Sequence, residues 1–242
     1  MEKKYALLLA FLITALVAGN YFFFVDASVS REIVEITRVL DGDTVELDDG
    51  RKVRLANINT PEKRFAYSEL AKNYLDSFVG KRLEMENLGG DKYDRTLGRL
   101  YFNNEYINLE IVEQGMAHTY LVFDDEERVF SRAEKNAREN ELGIWQESEY
   151  TNCINATINK YDEYVLIYDS CDLDLTGWTI KDESTKSYGI EEDAGNELTI
   201  YSGEGEDSES ARYWGRKNIW NDDKDRIFIR DASGLLVFYD SY

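Results

Sequence analysis

The chain has 242 residues, enough for one or two domains with a real core. Lys plus Arg number 28 against 48 Asp plus Glu, a net charge of -20. That argues against a general polyanion binder, because sequence-independent affinity for nucleic acid comes mainly from Lys and Arg on phosphates. With 43% hydrophobic and 13% aromatic residues and a single proline, disorder and proline-rich or collagen-like tracts are excluded as well.

After Lys3 and Lys4, residues 5–25 run without a charge, long enough to cross a bilayer, which takes about 20 apolar residues. Val25-Asp26-Ala27 before Ser28 also reads as a small-residue cleavage site. Residues 1–27 are therefore expected to be a signal peptide or a membrane anchor, with a buried core helix as the third reading. Either of the first two leaves the rest of the chain extracellular, secreted or anchored, because the lysines stay on the cytoplasmic side.

Residues 32–40, 44–47 and 52–58 are β-branched or alternating runs, and Asp49-Gly50 between the last two is a hairpin signal. Residues 68–79 carry apolar side chains at a helical spacing, with Ser68 placed to cap the start and Gly80 to end it. Residues 82–88 and 99–102 read as strands, 106–115 as a short helix and 126–141 as a longer polar one. Five strands with a helix between the third and fourth is the element order of an OB-type barrel. A boundary is expected at 149–152, after which the chain is nearly all strand and turn, the pattern of a β-sandwich. Two cysteines, Cys153 and Cys171, are placed to form a disulfide in an oxidising compartment, with two buried thiols as the alternative. Closing that loop would contribute about 3 kcal/mol.

The chemistry is concentrated between Asp41 and Arg99. Asp41-Gly42-Asp43-Thr44 places two carboxylates at a tight turn, and calcium takes several oxygen ligands on a shaped loop. Alone, such a turn is an ordinary Asp-rich hairpin. Its company raises its meaning: Arg54 on the following strand, Asn59-Thr60-Pro61-Glu62 after it, and Lys92-Tyr93-Asp94-Arg95 at a later strand entry. Two arginines converging on one phosphate would stabilise the charge that builds during attack, and a glutamate beside an activated water acts as general base.

The segments ITRVLDGDTVEL, VRLANINTPE, DKYDRTLGRLYF, VEQGMAHTY and ELGIW resemble the staphylococcal (micrococcal) nuclease family in order and spacing over residues 32–147. The resemblance implies an OB-fold five-stranded barrel with three helices in residues 28–150, and calcium-dependent hydrolysis of DNA and RNA phosphodiesters. It makes nucleic acid the partner and Ca2+ the cofactor, with no small-molecule cofactor. Carried over by position, Asp41, Asp43, Asn59 and the Thr60 carbonyl resemble the metal ligands, Arg54 and Arg95 the catalytic arginines, and Glu62 the general base. Lys92, Tyr93 and Tyr120 resemble substrate contacts. Three positions depart from the family pattern: Asn59 stands where a second aspartate is usual, Asp94 where a glycine precedes the second arginine, and Val122 or Phe123 where a second pocket tyrosine is found. Arg99 also follows a glycine and is the alternative to Arg95.

His118 is read as structural, 124–127 as a solvated loop opening a helix, and Trp145 as a packing residue. In residues 151–242 the elements LTGW, IWND and DASG resemble a lamin-tail domain, which implies an Ig-like β-sandwich without chemistry of its own. Trp178, Trp214 and Trp220 are expected in its core. Two functions follow as expectations: an exported calcium-dependent nuclease, or a non-catalytic OB-fold module that binds or tethers at the cell envelope. Locally, residues 51–64 hold five basic side chains against Glu62, so a small basic cleft is expected within an acidic body.

Overall fold

A computed structural model describes residues 30–242 except 64, 124 and 194. The hydrophobic segment at 5–25 lies outside the described residues, and no helix among those is long and apolar enough to cross a membrane.

Strands β1 (Arg31–Val39), β2 (Thr44–Leu47) and β3 (Lys52–Leu55) form an antiparallel meander. The run expected at 52–58 is broken by a turn at 56–57, where Asn57 takes φ 69, and resumes as the short β4 (Ile58–Asn59). Asn is among the few L residues that tolerate this conformation, and the turn re-aims the chain toward the site. Strands β5 (Arg82–Gly90) and β6 (Thr96–Phe102) complete the barrel: β5 pairs with β1, β6 with β5, and the parallel pairing of β6 with β3 closes the sheet on itself. Alternating residues of these strands, among them Val34, Ile36, Val45, Val53, Leu83 and Met85, fill the interior.

Helix α1 (Ser68–Asp76) lies between β4 and β5, in the place the OB order requires. Ser68 is not its cap: Tyr67 occupies that position at φ 65 without a side-chain bond, and the Ser68 hydroxyl donates to the Lys63 carbonyl. The helix stops at Asp76, and Gly80, at φ +75, donates its N–H to Ile36 of β1. Strand β7 (Glu105–Tyr106), helix α2 (Ile107–Glu113), strand β8 (His118–Thr119) and helix α3 (Glu127–Glu139) follow, with β8 paired to β4. Gly115 is required behind α2, since a Cβ there would sit 2.2 Å from the Leu142 carbonyl oxygen.

The second half forms two four-stranded sheets. One holds β9 (Ile154–Asn159), β10 (Tyr164–Asp169), β13 (Glu197–Tyr201) and β14 (Ala211–Tyr213). The other holds β11 (Thr179–Lys181), β12 (Ser187–Gly189), β15 (Arg226–Arg230) and β16 (Leu236–Ser241). Val165 and Ile200 of the first share one core with Ile180 and Ile227 of the second, and Trp178, Trp214 and Trp220 are buried in it. Cys153 and Cys171 are bonded to each other with their Cα atoms 5.3 Å apart.

The two halves are fused by a buried seam. Ala137, Ile144 and Trp145 of the first pack on Phe228 and Leu236 of the second. Leu236 exchanges backbone hydrogen bonds with Gln146 and Ser148, and Arg226 pairs with Glu134 at 2.7 Å. Arg226 is mostly buried and so is Glu134, which makes this pair costly to break from one side.

Candidate active site

One cleft of about 320 Å³ is lined by Asp41, Asp43, Arg54, Asn59, Thr60, Glu62, Tyr93 and Arg95. It opens beside a larger one of about 690 Å³ that Arg54, Asn59, Tyr93 and Arg95 also line, together with Lys92 and Tyr120. The fold thus gathers residues as far apart in the chain as Asp41 and Arg95 at the open end of the barrel, where β2, β3 and the entry to β6 run side by side.

Arg54 is set by the register of β3 opposite Thr44 and Leu97. Its guanidinium donates to the carbonyls of Leu55 and Ile58 at 3.0 and 2.9 Å and pairs with Asp43 at 3.1 Å. A fork held on three sides is fixed in orientation, with little rotamer entropy left to lose on binding. Arg95 is held differently, by Asp91, whose carboxylate accepts its Nε at 2.8 Å and Nη2 at 2.7 Å and also accepts the backbone N–H of Tyr93 and Arg95. Asp91 lines the larger cleft and is a residue of the candidate site that its motif does not single out. Its signal was an Asp followed at two and four positions by the N–H groups it caps, a common turn device.

Asp43 is buried, and that desolvation raises its carboxyl pKa against the opposing pull of Arg54. Its oxygens accept the Thr44 hydroxyl and the backbone N–H and hydroxyl of Thr60. Gly42 permits this packing: a Cβ there would meet the Thr60 hydroxyl at 2.7 Å. Among the described residues, no group of three or more His, Cys, Asp or Glu is gathered as a metal cage by itself. What is present is a buried, destabilised carboxylate beside Asp41 and the Thr60 backbone, an oxygen donor set that a hard cation such as calcium fits when water completes it.

Asn59 does something the sequence reading did not foresee. Its Nδ2 donates to the carbonyls of Ser184 at 2.8 Å and Glu183 at 3.2 Å, in the second domain, while its Oδ1 faces Arg54 at 3.4 Å. An aspartate has no proton for those carbonyls, which gives the departure at this position a structural reason. Its expected place among the metal ligands is reduced to one neutral oxygen already facing a cation.

Glu62 is exposed at the cleft rim, and its carboxylate has no hydrogen bond or ion pair among the described residues. Asp94 takes φ 61, the conformation that explains a usual glycine, and its exposed side chain lines neither cleft. Arg99 is outside the site: it is buried between Glu86 at 2.8 Å and Glu126 at 2.7 Å. The same pair corrects the reading of 124–127 as merely solvated, because Glu126 is mostly buried and also accepts from Asn57. Phe123 packs against Arg99 and Val122 against the barrel core, so neither stands in the cleft. The basic stretch at 51–64 is only partly in the cleft as well, since Arg51 pairs with Glu32 and Asp49 on the outside of the barrel.

His118 is buried against Phe228, with Nδ1 3.0 Å from the Thr119 carbonyl and Nε2 3.4 Å from both Asn59 Nδ2 and Lys181 Nζ. Burial and the cations Lys181 and Arg226 push its pKa well below the usual value, so the ring is neutral. Lys181 is itself pushed down to about 8 by burial. These groups hold the seam behind the cleft and do not reach into it.

Comparison with known proteins matches residues 52–147 to the family described as Staphylococcal nuclease homologue. The chain is 35% identical over 133 residues to an uncharacterized endonuclease of Haemophilus influenzae, covering 74% of that protein and 52% of this one. It is 33% identical over 119 residues to an uncharacterized endonuclease of Escherichia coli O157:H7, covering 77% of it. With the thermonuclease of Staphylococcus intermedius it shares 31% identity over 132 residues, 79% of that protein and 49% of this chain.

Proposed function

The chain belongs to the staphylococcal nuclease family, and from that premise we propose that it is an exported, calcium-dependent nuclease that hydrolyses phosphodiester bonds of DNA, RNA or both. The observation that carries this reading is the meeting of Arg54, Arg95, Glu62, Asp41 and Asp43 around one cleft. Calcium, when bound by Asp41, Asp43 and the Thr60 carbonyl, supplies Lewis-acid charge to a phosphate oxygen. Arg54 and Arg95 donate to the remaining phosphate oxygens and favour the charge that grows there as a water oxygen bonds to phosphorus and the ester oxygen departs. Glu62, whose carboxylate has no partner among the described residues, accepts the proton of that water. Asp91 and the Leu55 and Ile58 carbonyls keep the two guanidinium groups aimed, so little reorganisation is left for the reaction itself.

The test is incubation of the purified protein with single-stranded DNA and RNA, with calcium and with chelator. Cleavage with calcium alone is the expected result; none under either condition overturns the proposal. Asn59 favours a second reading, a non-catalytic binding or tethering module, because its amide serves the domain seam. Tight oligonucleotide binding without turnover would support it. The paired four-stranded sheets of the second half support its reading as a lamin-tail-like, Ig-like module, and the uncharged 5–25 segment supports export by signal peptide or anchor. Mass measurement of the mature protein's N-terminus distinguishes those two.

A further inference from the structure

We infer that the second domain is part of the substrate cleft, and that Arg216 is a second-domain contact for a nucleic-acid phosphate flanking the scissile one. This rests on the nuclease reading for its substrate and on independent geometry for its site. The 690 Å³ cleft that holds Arg54, Arg95 and Lys92 has its opposite wall built by the turn between β11 and β12 and by Arg216. Arg216 also lines a third space, of about 480 Å³, together with Asp41, Glu62 and Lys63. Thr185, at the tip of the turn, lines all three, including the catalytic one. Arg216 therefore stands where the two spaces flanking the reacting groups come together.

The wall is rigid. Asp182 is fully buried and accepts the N–H groups of Ser184 and Lys186, Glu183 N–H is held by Asp225, and Lys181 donates to the Ser184 carbonyl. From the other domain, Asn59 donates to the carbonyls of Glu183 and Ser184. A segment tied from both sides meets a ligand without ordering cost, the condition for productive binding.

Arg216 is the cation this wall leaves available. Lys186 is engaged by Asp182 at 3.3 Å and by the Asn218 carbonyl at 2.6 Å. Arg216 is exposed, its carbonyl is anchored to the Gly203 N–H, and its guanidinium has no ion pair or hydrogen bond among the described residues. In a chain with 48 acids, an arginine left unpaired at the mouth of a cleft with two further arginines is a site for a phosphate.

The test compares the full chain with its Arg216→Ala, Arg216→Lys and, as a distant basic control, Lys135→Ala variants. Binding of a fluorescein-labelled twelve-residue oligothymidylate is followed by anisotropy in chelator across a salt series. In parallel, kcat and KM are measured with calcium. Arg216→Ala is expected to weaken binding about 3- to 10-fold and to flatten the slope of log K against log salt by about 0.7, the value for one phosphate on a single strand. KM should rise by the same factor with kcat unchanged, Arg216→Lys should recover part of the loss, and Lys135→Ala should change nothing. Cleavage by the unaltered protein with Arg216→Ala equal to it in affinity, salt slope and KM overturns the inference and leaves the nuclease reading standing. Binding that depends on Arg216 without any cleavage overturns the nuclease reading and leaves the inference. A wild-type chain that does not bind the oligonucleotide overturns the inference outright.

Discussion

The acids of the two halves of the chain are held differently. In the second domain Asp169, Asp182, Asp225 and Asp231 are buried and occupied by backbone N–H donors: Asp169 by Cys171 and Leu173, Asp225 by Asn221, Arg226 and Glu183. In the barrel, the Glu62 carboxylate has no hydrogen bond or ion pair among the described residues, while Asp43, held by Arg54, Thr44 and Thr60, has its pKa raised by desolvation. A carboxylate whose oxygens are saturated by fixed N–H groups is a turn fastener, whereas one left without donors at a cleft rim, as Glu62 is among the described residues, has capacity for a cation, a water or a proton. The difference teaches that neither burial nor charge alone marks a working acid in a chain this acidic.

The comparison can be broken most directly at Glu62. Glu62→Gln should lower kcat about 10²- to 10⁴-fold with the urea midpoint unchanged, and an active variant would remove Glu62 from the role of base. Arg95→Ala should cost about 10²- to 10³-fold in kcat, and Asp91→Asn, which loosens Arg95 without touching substrate, should cost less and raise KM little. Equal effects of the two would show that Asp91 does more than aim the guanidinium. On the other side of the comparison, Asp169→Ala should leave kcat per folded molecule intact while lowering stability by about 1–3 kcal/mol in urea unfolding, because two part-buried N–H groups lose their acceptor. The smallest effect concerns His118. Its folded pKa is depressed, so between that value and its unfolded value of about 6.5 the unfolded chain binds more protons. Stability should therefore fall as pH drops below about 6.5, by at most about 1.4 kcal/mol per pH unit from this group. His118→Gln should flatten that part of the thermal-midpoint profile.

Much of the barrel was legible because its signals are local. Alternation across residues 32–40, the Asp49-Gly50 hairpin and the helical spacing of 68–79 report period and turn chemistry, and these placed β1, β2 and α1 within a few residues. The failures were where tertiary contacts override local preference. The run at 52–58 alternates charged and apolar side chains like an unbroken strand, and nothing in its pattern announces the left-handed Asn57 whose Oδ1 and carbonyl are taken by Phe123 and Tyr120 far along the chain. Ser68 is a good cap by type, but the Lys63 carbonyl claims its hydroxyl.

By itself the sequence supplied the candidates for the site: Arg54, Arg95, Glu62, Asp41 and Asp43 stand where the resemblance to the nuclease motifs puts them. It favoured Arg95 and left Arg99, which also follows a glycine, as the alternative. Only the tertiary structure decided what each is bound to. The seam turned Asn59 toward Ser184, Asp94 at φ 61 lines neither cleft, and Glu86 with Glu126 locked Arg99 into the barrel. The far wall of the cleft was likewise beyond the sequence, because Arg216 lies 121 positions after Arg95 and comes to line the same cleft only through the packing of the two halves. Hydrogen-bond partners and cavity walls are properties of through-space distance, and spacing along a chain encodes distance only within one element.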